Sequence, residues 1–167
     1  MNRRELLKTT FLTLGALALP VAASRFLGLT RSAEAKTGKF EVEKTEDEWR
    51  KILTDAQFRV LRQEDTERPG TSALLEEHRK GTFHCAGCDL GVYASEAKYD
   101  SGTGWPSFYE ALPDAIGDKE DDSLFTARTE IHCRRCGGHF GHVFDDGPKP
   151  TGKRHCLNGV ALNFKAA

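Results

Sequence analysis

Five stretches of the chain alternate or cluster apolar residues at a spacing too short for helices. They are "GTFHC" (81–85), "GVYAS" (91–95), "LFTARTEIHC" (124–133), "GHFGHVF" (138–144) and "GVALNFKA" (159–166). Each is rich in β-branched or aromatic residues and bounded by Gly, Pro or Asp, which predicts short strands joined by turns. Within the third, Ala127, Thr129 and Ile131 alternate with Arg128, Glu130 and His132, a period of two. Upstream the period changes. Thr45 and Glu48 have capping-box spacing, and Trp49, Ile52 and Leu53 then share one helical face. Phe58 and Leu61 repeat that spacing over 54–63, and one more helical turn is expected in "SALLEEHRKG" (72–81), stopped by Gly81. No repeat of 20–50 residues is present. The pattern predicts a mainly β domain over 43–167, antiparallel, with short N-terminal helices, and a linker over 36–42.

The first 35 residues follow another grammar. Arg3 and Arg4 precede an apolar run from Phe11 to Ala23, followed by the small-residue site Ala33-Glu34-Ala35. The run is too short to span a bilayer as a helix, and Pro20 interrupts it. Basic residues, short apolar core and small-residue site predict a signal peptide over 1–35, cleaved after Ala35, with an uncleaved anchor or an amphipathic first helix of the domain as the alternatives. The paired arginines point to the twin-arginine type, which carries folded proteins across the membrane. The expected location is the periplasm or another exported compartment, with no stable membrane insertion after cleavage.

Composition adds exclusions. Of 167 residues, 38% are hydrophobic and 29% charged, and the net charge is -1. Nothing in that balance argues for a nucleic-acid partner. The sixteen glycines and six prolines agree with a turn-rich β fold.

The chemistry resides in five cysteines. Cys85 and Cys88 form one Cys-x-x-Cys turn, and Cys133 and Cys136 form another. Two such turns can complete a tetrahedral four-sulfur site for one structural Zn2+. Two disulfides and a redox dithiol are the alternatives. The redox motif normally opens a helix after a strand, and neither site has a helical continuation. Cys156 is left over. Arg154 and His155 beside it favour a thiolate, whereas a buried, inert thiol is the plain alternative.

"YDSGTGWPSF" (99–108), "GHVFDDGPKPTGKRHCLN" (141–158) and a Cys-x-x-Cys before each closely resemble the B-type methionine-(R)-sulfoxide reductases, from about Glu43 to Phe164. The resemblance implies two antiparallel sheets with N-terminal helices. It implies reduction of the R epimer of methionine sulfoxide, free or in oxidised proteins. Cys156 is then the nucleophile and His142 the acid, with His139 and Asn158 holding the substrate oxygen or an ordered water. Trp105 walls the methyl group, and Phe144, Asp146 and Arg154 line or position the pocket. Many members of that family carry a resolving cysteine where this chain has Thr103. A one-cysteine cycle follows, completed by an external thiol such as a thioredoxin-like protein.

Overall fold

The computed structural model describes residues 40–122 and 127–167. The expected signal peptide and the start of the linker lie outside the described residues, as do positions 124–126 of the strand expected over 124–133. Among the described residues no helix is long and apolar enough to cross a membrane.

Two short helices open the domain, α1 (Glu46–Ile52) and α2 (Asp55–Gln63). Each has a complete capping box, Thr45 with Glu48 and Thr54 with Gln57. Helices this short are marginal alone, so the caps and the burial of Trp49, Phe58, Val60 and Leu61 carry them. The extra helical turn expected over 72–81 is absent. Residues 73–76 form hydrogen-bonded turns instead.

Nine strands follow among the described residues: β1 (Gly81–Cys85), β2 (Gly91–Ala94), β3 (Lys98–Tyr99), β4 (Ser107–Phe108), β5 (Ile116–Asp121), β6 (Arg128–Cys133), β7 (His139–Phe144), β8 (Arg154–Leu157) and β9 (Leu162–Ala166). They build a three-stranded sheet, β2-β1-β9, and a six-stranded sheet, β3-β4-β8-β7-β6-β5. Neighbouring strands are antiparallel throughout. The mainly β architecture with two antiparallel sheets is therefore as expected. The pattern of apolar positions did not reveal β3, β4, β5 and β8.

The two sheets meet through aromatic rings. Phe83 of β1 packs edge-on against Phe108 of β4, with centroids 4.9 Å apart, and Tyr93 of β2 lies 4.5 Å from Phe108. All three are fully buried. Side chains of this size dominate core energetics, so this contact fixes the small sheet to the end of the large one that carries β4 and β8. β8 runs between β4 and β7, with Cys156 opposite Ser107 on one side and His142 on the other. A Cβ added at Gly141 would collide with the Cys156 carbonyl oxygen, so glycine there lets β7 close on β8.

Candidate active site

The four paired cysteines converge. Cys85 ends β1, Cys133 ends β6, and each following turn brings its second cysteine back to one centre. The Cys85 and Cys136 sulfurs are 3.7 Å apart, those of Cys88 and Cys133 are 3.5 Å apart, and all four lie within 4.8 Å. Both separations far exceed an S–S bond of about 2.05 Å. They match the roughly 3.8 Å edge of a tetrahedron built on 2.3 Å metal–sulfur bonds. The four residues therefore fit a metal ion. Arg62 of α2 sits against this centre. Its guanidinium donates to the Cys136 carbonyl oxygen at 3.0 Å and approaches the Cys136 sulfur at 3.6 Å. That cation lies over the Trp49 ring at 4.4 Å, so both helices are tied to the cluster. Residues 40–42, expected as linker, also lie here: the Val42 amide donates to the Arg135 carbonyl oxygen.

Cys156 stands apart from that cluster and opens into a cavity of about 140 Å³ walled by Trp105, His142, Phe144, Leu157 and Asn158. Its thiol is half-buried. Burial pushes it above the ordinary cysteine value, against the opposing pull of the Thr103 hydroxyl and the Arg154 cation. The thiolate expected from Arg154 and His155 is thus not the resting form. Arg154 is engaged twice by Asp146, at 2.8 and 2.9 Å, which reduces its field at the sulfur. His155 points to the opposite face of β8 and meets the Tyr93 hydroxyl at 3.0 Å.

Two histidine–carboxylate pairs flank the cavity. His142 Nε2 lies 2.6 Å from Asp121 Oδ2, and Arg128 donates to the same oxygen at 2.6 Å. Burial holds His142 below the ordinary imidazole value despite Asp121, with Arg128 and His139 adding to the depression. It is therefore neutral near neutral pH. Behind it, buried His139 contacts Glu130 Oε1 through Nδ1 at 2.7 Å, and Lys119 reaches Glu130 Oε2 at 3.0 Å. Burial opposes ionisation of Glu130, yet His139 and Lys119 together keep its carboxyl below the usual carboxylate range. His139 Nε2 is buried without a hydrogen-bond partner among the described residues. The two imidazoles meet edge to face, 5.6 Å apart.

Asn158 works on the protein itself. Its Oδ1 accepts from the Glu67 amide at 2.9 Å and its Nδ2 donates to the Phe140 carbonyl at 3.0 Å. Glu67 reciprocates: its carboxylate accepts from the Gly159 and Val160 amides, and its carbonyl accepts from Trp105 Nε1 at 3.0 Å. Asn158 thus holds the segment that holds Trp105.

Of the residues expected at the site, Cys156, His142, Trp105, Phe144 and Asn158 line one cavity, and His139 lies just behind it. Asp146 and Arg154 line a neighbouring recess with Tyr99, Ser101 and Thr103. Arg154 still acts on the cavity from outside, its guanidinium 4.3 Å from the Phe144 ring centre. Asp121, Glu130 and Glu67 were missed. Each pairs across strands or loops, and none stands at a spacing from its partner that the sequence alone would flag.

A half-buried thiol facing an imidazole across a strand pair, in an aromatic cavity that none of the four clustered cysteines lines, defines a cysteine-dependent catalyst with a separate metal-binding centre. The SelR domain model matches residues 53–166. Peptide methionine sulfoxide reductase MsrB of Methanosarcina barkeri is 54% identical over 125 residues, covering 74% of this chain and 88% of that protein. The MsrB of Leptospira interrogans is 50% identical over 127 residues, covering 75% of this chain and 97% of its own. That of Pseudomonas putida is 48% identical over 126 residues, covering 75% and 95%. The chain belongs to the MsrB family.

Proposed function

We infer that this chain reduces the R epimer of methionine sulfoxide, free or within proteins, to methionine at Cys156. The observation that carries the reading is the opening of the Cys156 thiol into a cavity walled by Trp105 and Phe144, directly across the strand pair from His142. The aromatic walls suit the methyl group and the positive charge that develops on its sulfur. Chemistry needs the thiol to lose a proton and the sulfoxide oxygen to gain one. His142, neutral at rest and braced by Asp121, can accept the first proton and return it to the oxygen as the S–O bond breaks. Methionine leaves, the oxygen ends on the Cys156 sulfur as a sulfenic acid, and the thiol's own proton balances the step.

Two equivalents of an external thiol, or one dithiol of thioredoxin-like type, then restore Cys156 and release water. With five cysteines in the chain and four at the metal-binding centre, no resolving partner remains beside Cys156. Thr103 stands there instead, its hydroxyl 3.9 Å from the sulfur.

Cys85, Cys88, Cys133 and Cys136 hold one structural zinc ion, whose four thiolate ligands leave no open position for catalysis. The segment 1–35 exports the folded, metal-loaded domain by the twin-arginine route. This reading is supported by Arg3, Arg4, the apolar run and Ala33-Glu34-Ala35.

Single turnover on separated epimers tests the central claim. One equivalent of methionine is expected from the R epimer, with dimedone trapped at Cys156. Equal reduction of the S epimer, or turnover by Cys156→Ser, overturns it. Loss of export on Arg3→Lys/Arg4→Lys tests the address.

A further inference from the structure

Behind Cys156, on the side away from His142, three hydroxyls form a chain. Thr103 Oγ1 lies 3.9 Å from the Cys156 sulfur and 2.8 Å from Ser101 Oγ. Ser101 Oγ lies 2.7 Å from Ser107 Oγ, and Ser107 donates to the Trp105 carbonyl oxygen at 3.1 Å. Ser107 is fully buried, so these two contacts are the ones its hydroxyl has to satisfy. None of the three hydroxyls takes part in the proton transfer between Cys156 and His142.

Proton counting decides what the hydroxyl chain favours. It has four contacts: sulfur to Thr103, Thr103 to Ser101, Ser101 to Ser107, and Ser107 to the carbonyl. A carbonyl oxygen only accepts, and each hydroxyl carries one proton. The three hydroxyls supply three protons for four contacts, and the thiol S–H supplies the fourth. With Cys156 as a thiol, every link runs in one direction, sulfur to carbonyl, and all are made. With a thiolate, Thr103 must turn its proton to the sulfur, and one oxygen pair further along is left without a hydrogen.

We propose that Ser101 and Ser107 are positioning residues that hold Cys156 in its protonated form until substrate arrives, by committing the Thr103 proton to a hydroxyl chain that closes only around a thiol. The inference rests on Cys156 being the nucleophile. Burial acts on the thiol in the same direction. The charged and titratable groups around Cys156 are Arg154 on its own strand, Asp146 and Tyr99 in the adjoining recess, and His142 and Arg128 at the cavity; all stay in place in the variants below.

Removing a link changes the parity, and the sign of the effect depends on which link goes. In Ser107→Ala, two hydroxyl protons serve two contacts, so the thiolate is fully satisfied. Ser101→Ala leaves Thr103 free to donate to the sulfur and Ser107 to the carbonyl, with the same result. Thr103→Val instead removes the one hydroxyl that can donate to the thiolate. The pH profile of iodoacetamide alkylation at Cys156, read by peptide mass spectrometry on metal-loaded protein, tests this without sulfoxide turnover. Ser101→Ala and Ser107→Ala are expected to lower the apparent thiol pKa by about one unit, making alkylation roughly tenfold faster at neutral pH. Thr103→Val is expected to leave it unchanged or raise it. Shifts of one sign in all three, as general loosening of the loop would produce, or no shift in both serine variants, overturn the proposal. Failure of the epimer assay with this pattern intact would count against the function and not against the hydroxyl chain.

Discussion

Replacing Asn158 with alanine should act on the protein before it acts on the chemistry. The residue is 3% exposed, and its side chain makes two hydrogen bonds, from the Glu67 amide and to the Phe140 carbonyl. The Phe140 oxygen keeps a second donor, the Asn158 backbone amide at 2.8 Å. The Glu67 amide keeps none of this kind, so the variant leaves a part-buried donor unpaired. A lost hydrogen bond costs about 1 kcal/mol, and an orphaned buried donor about 1–3 kcal/mol. Together they come to roughly 2–4 kcal/mol. At roughly 3 °C per kcal/mol for a domain of this size, the melting temperature should fall by about 6–12 °C.

The functional consequence travels through Glu67, whose carbonyl fixes Trp105 Nε1. Loosening it frees the cavity wall, so KM should rise together with the loss of stability. Asn158→Asp keeps an acceptor for Glu67 but sets a second oxygen against the Phe140 carbonyl in a buried site, and should be no more stable than Asn158→Ala. Thermal melts followed by circular dichroism, beside steady-state kinetics on the R epimer, read both effects. If Asn158→Ala melts like wild type while kcat alone collapses, the side chain touches the reacting oxygen and the positioning argument is refuted.

Other outcomes follow from the same geometry. Thr103→Cys places a second thiol within about 4 Å of Cys156, so a single turnover should end in a disulfide between the introduced thiol and Cys156, read by mass spectrometry; a persistent sulfenic acid would show that the sulfurs cannot meet. His155 is held at about 4 by burial and then by Lys153, below the ordinary value of 6.5, so the unfolded chain takes up its proton first as pH falls. Its contribution is complete above about pH 6.5 and drains away toward pH 4, up to about 3 kcal/mol. Urea midpoints of wild type should therefore fall more steeply over that range than those of His155→Gln, and parallel profiles would refute the assignment. Cys133→Ser leaves three thiols at the metal-binding centre. It should purify without stoichiometric zinc by elemental analysis and unfold at lower temperature, and full zinc content would exclude a four-sulfur site.

The strands visible in the sequence are those with a clear apolar signal, such as "GTFHC" around Phe83 and "GHFGHVF" around Phe140. β5 was invisible because it is an edge strand. Lys119 and Glu120 are exposed there, and charge on an edge discourages pairing with another chain, which is the opposite of a strand signature. β4 is two residues long behind Pro106, and β8 reads as Arg-His-Cys-Leu, with no alternation to find. At the site, Cys156 was legible because it was the odd thiol, and the zinc-type spacing because both turns repeat it. His142 and Trp105 were legible only through resemblance to known reductases. Asp121 and Glu130 could not be found by either route, because what makes them partners of His142 and His139 is strand register, and register is set by packing of the whole sheet.

That dependence on register explains why the site survives in so small a domain. β8 supplies the thiol, β7 supplies both imidazoles, and β5 and β6 supply the carboxylates and Arg128, all within one continuous hydrogen-bonded ladder. Because side chains alternate faces, a slip of one residue between β7 and β8 would turn Cys156 away from His142 and toward the Tyr93 side occupied by His155. Gly141 blocks that error by close approach to the Cys156 carbonyl, and Asn158 blocks it by bonding Phe140 one strand over. Any larger residue at Gly141 should therefore abolish activity by separating the two strands while leaving the four-cysteine centre, at the ends of β1 and β6, able to bind its metal. Zinc content retained alongside lost Cys156 reactivity would be the expected pair of readings, and loss of both would mean that the two centres do not fold independently.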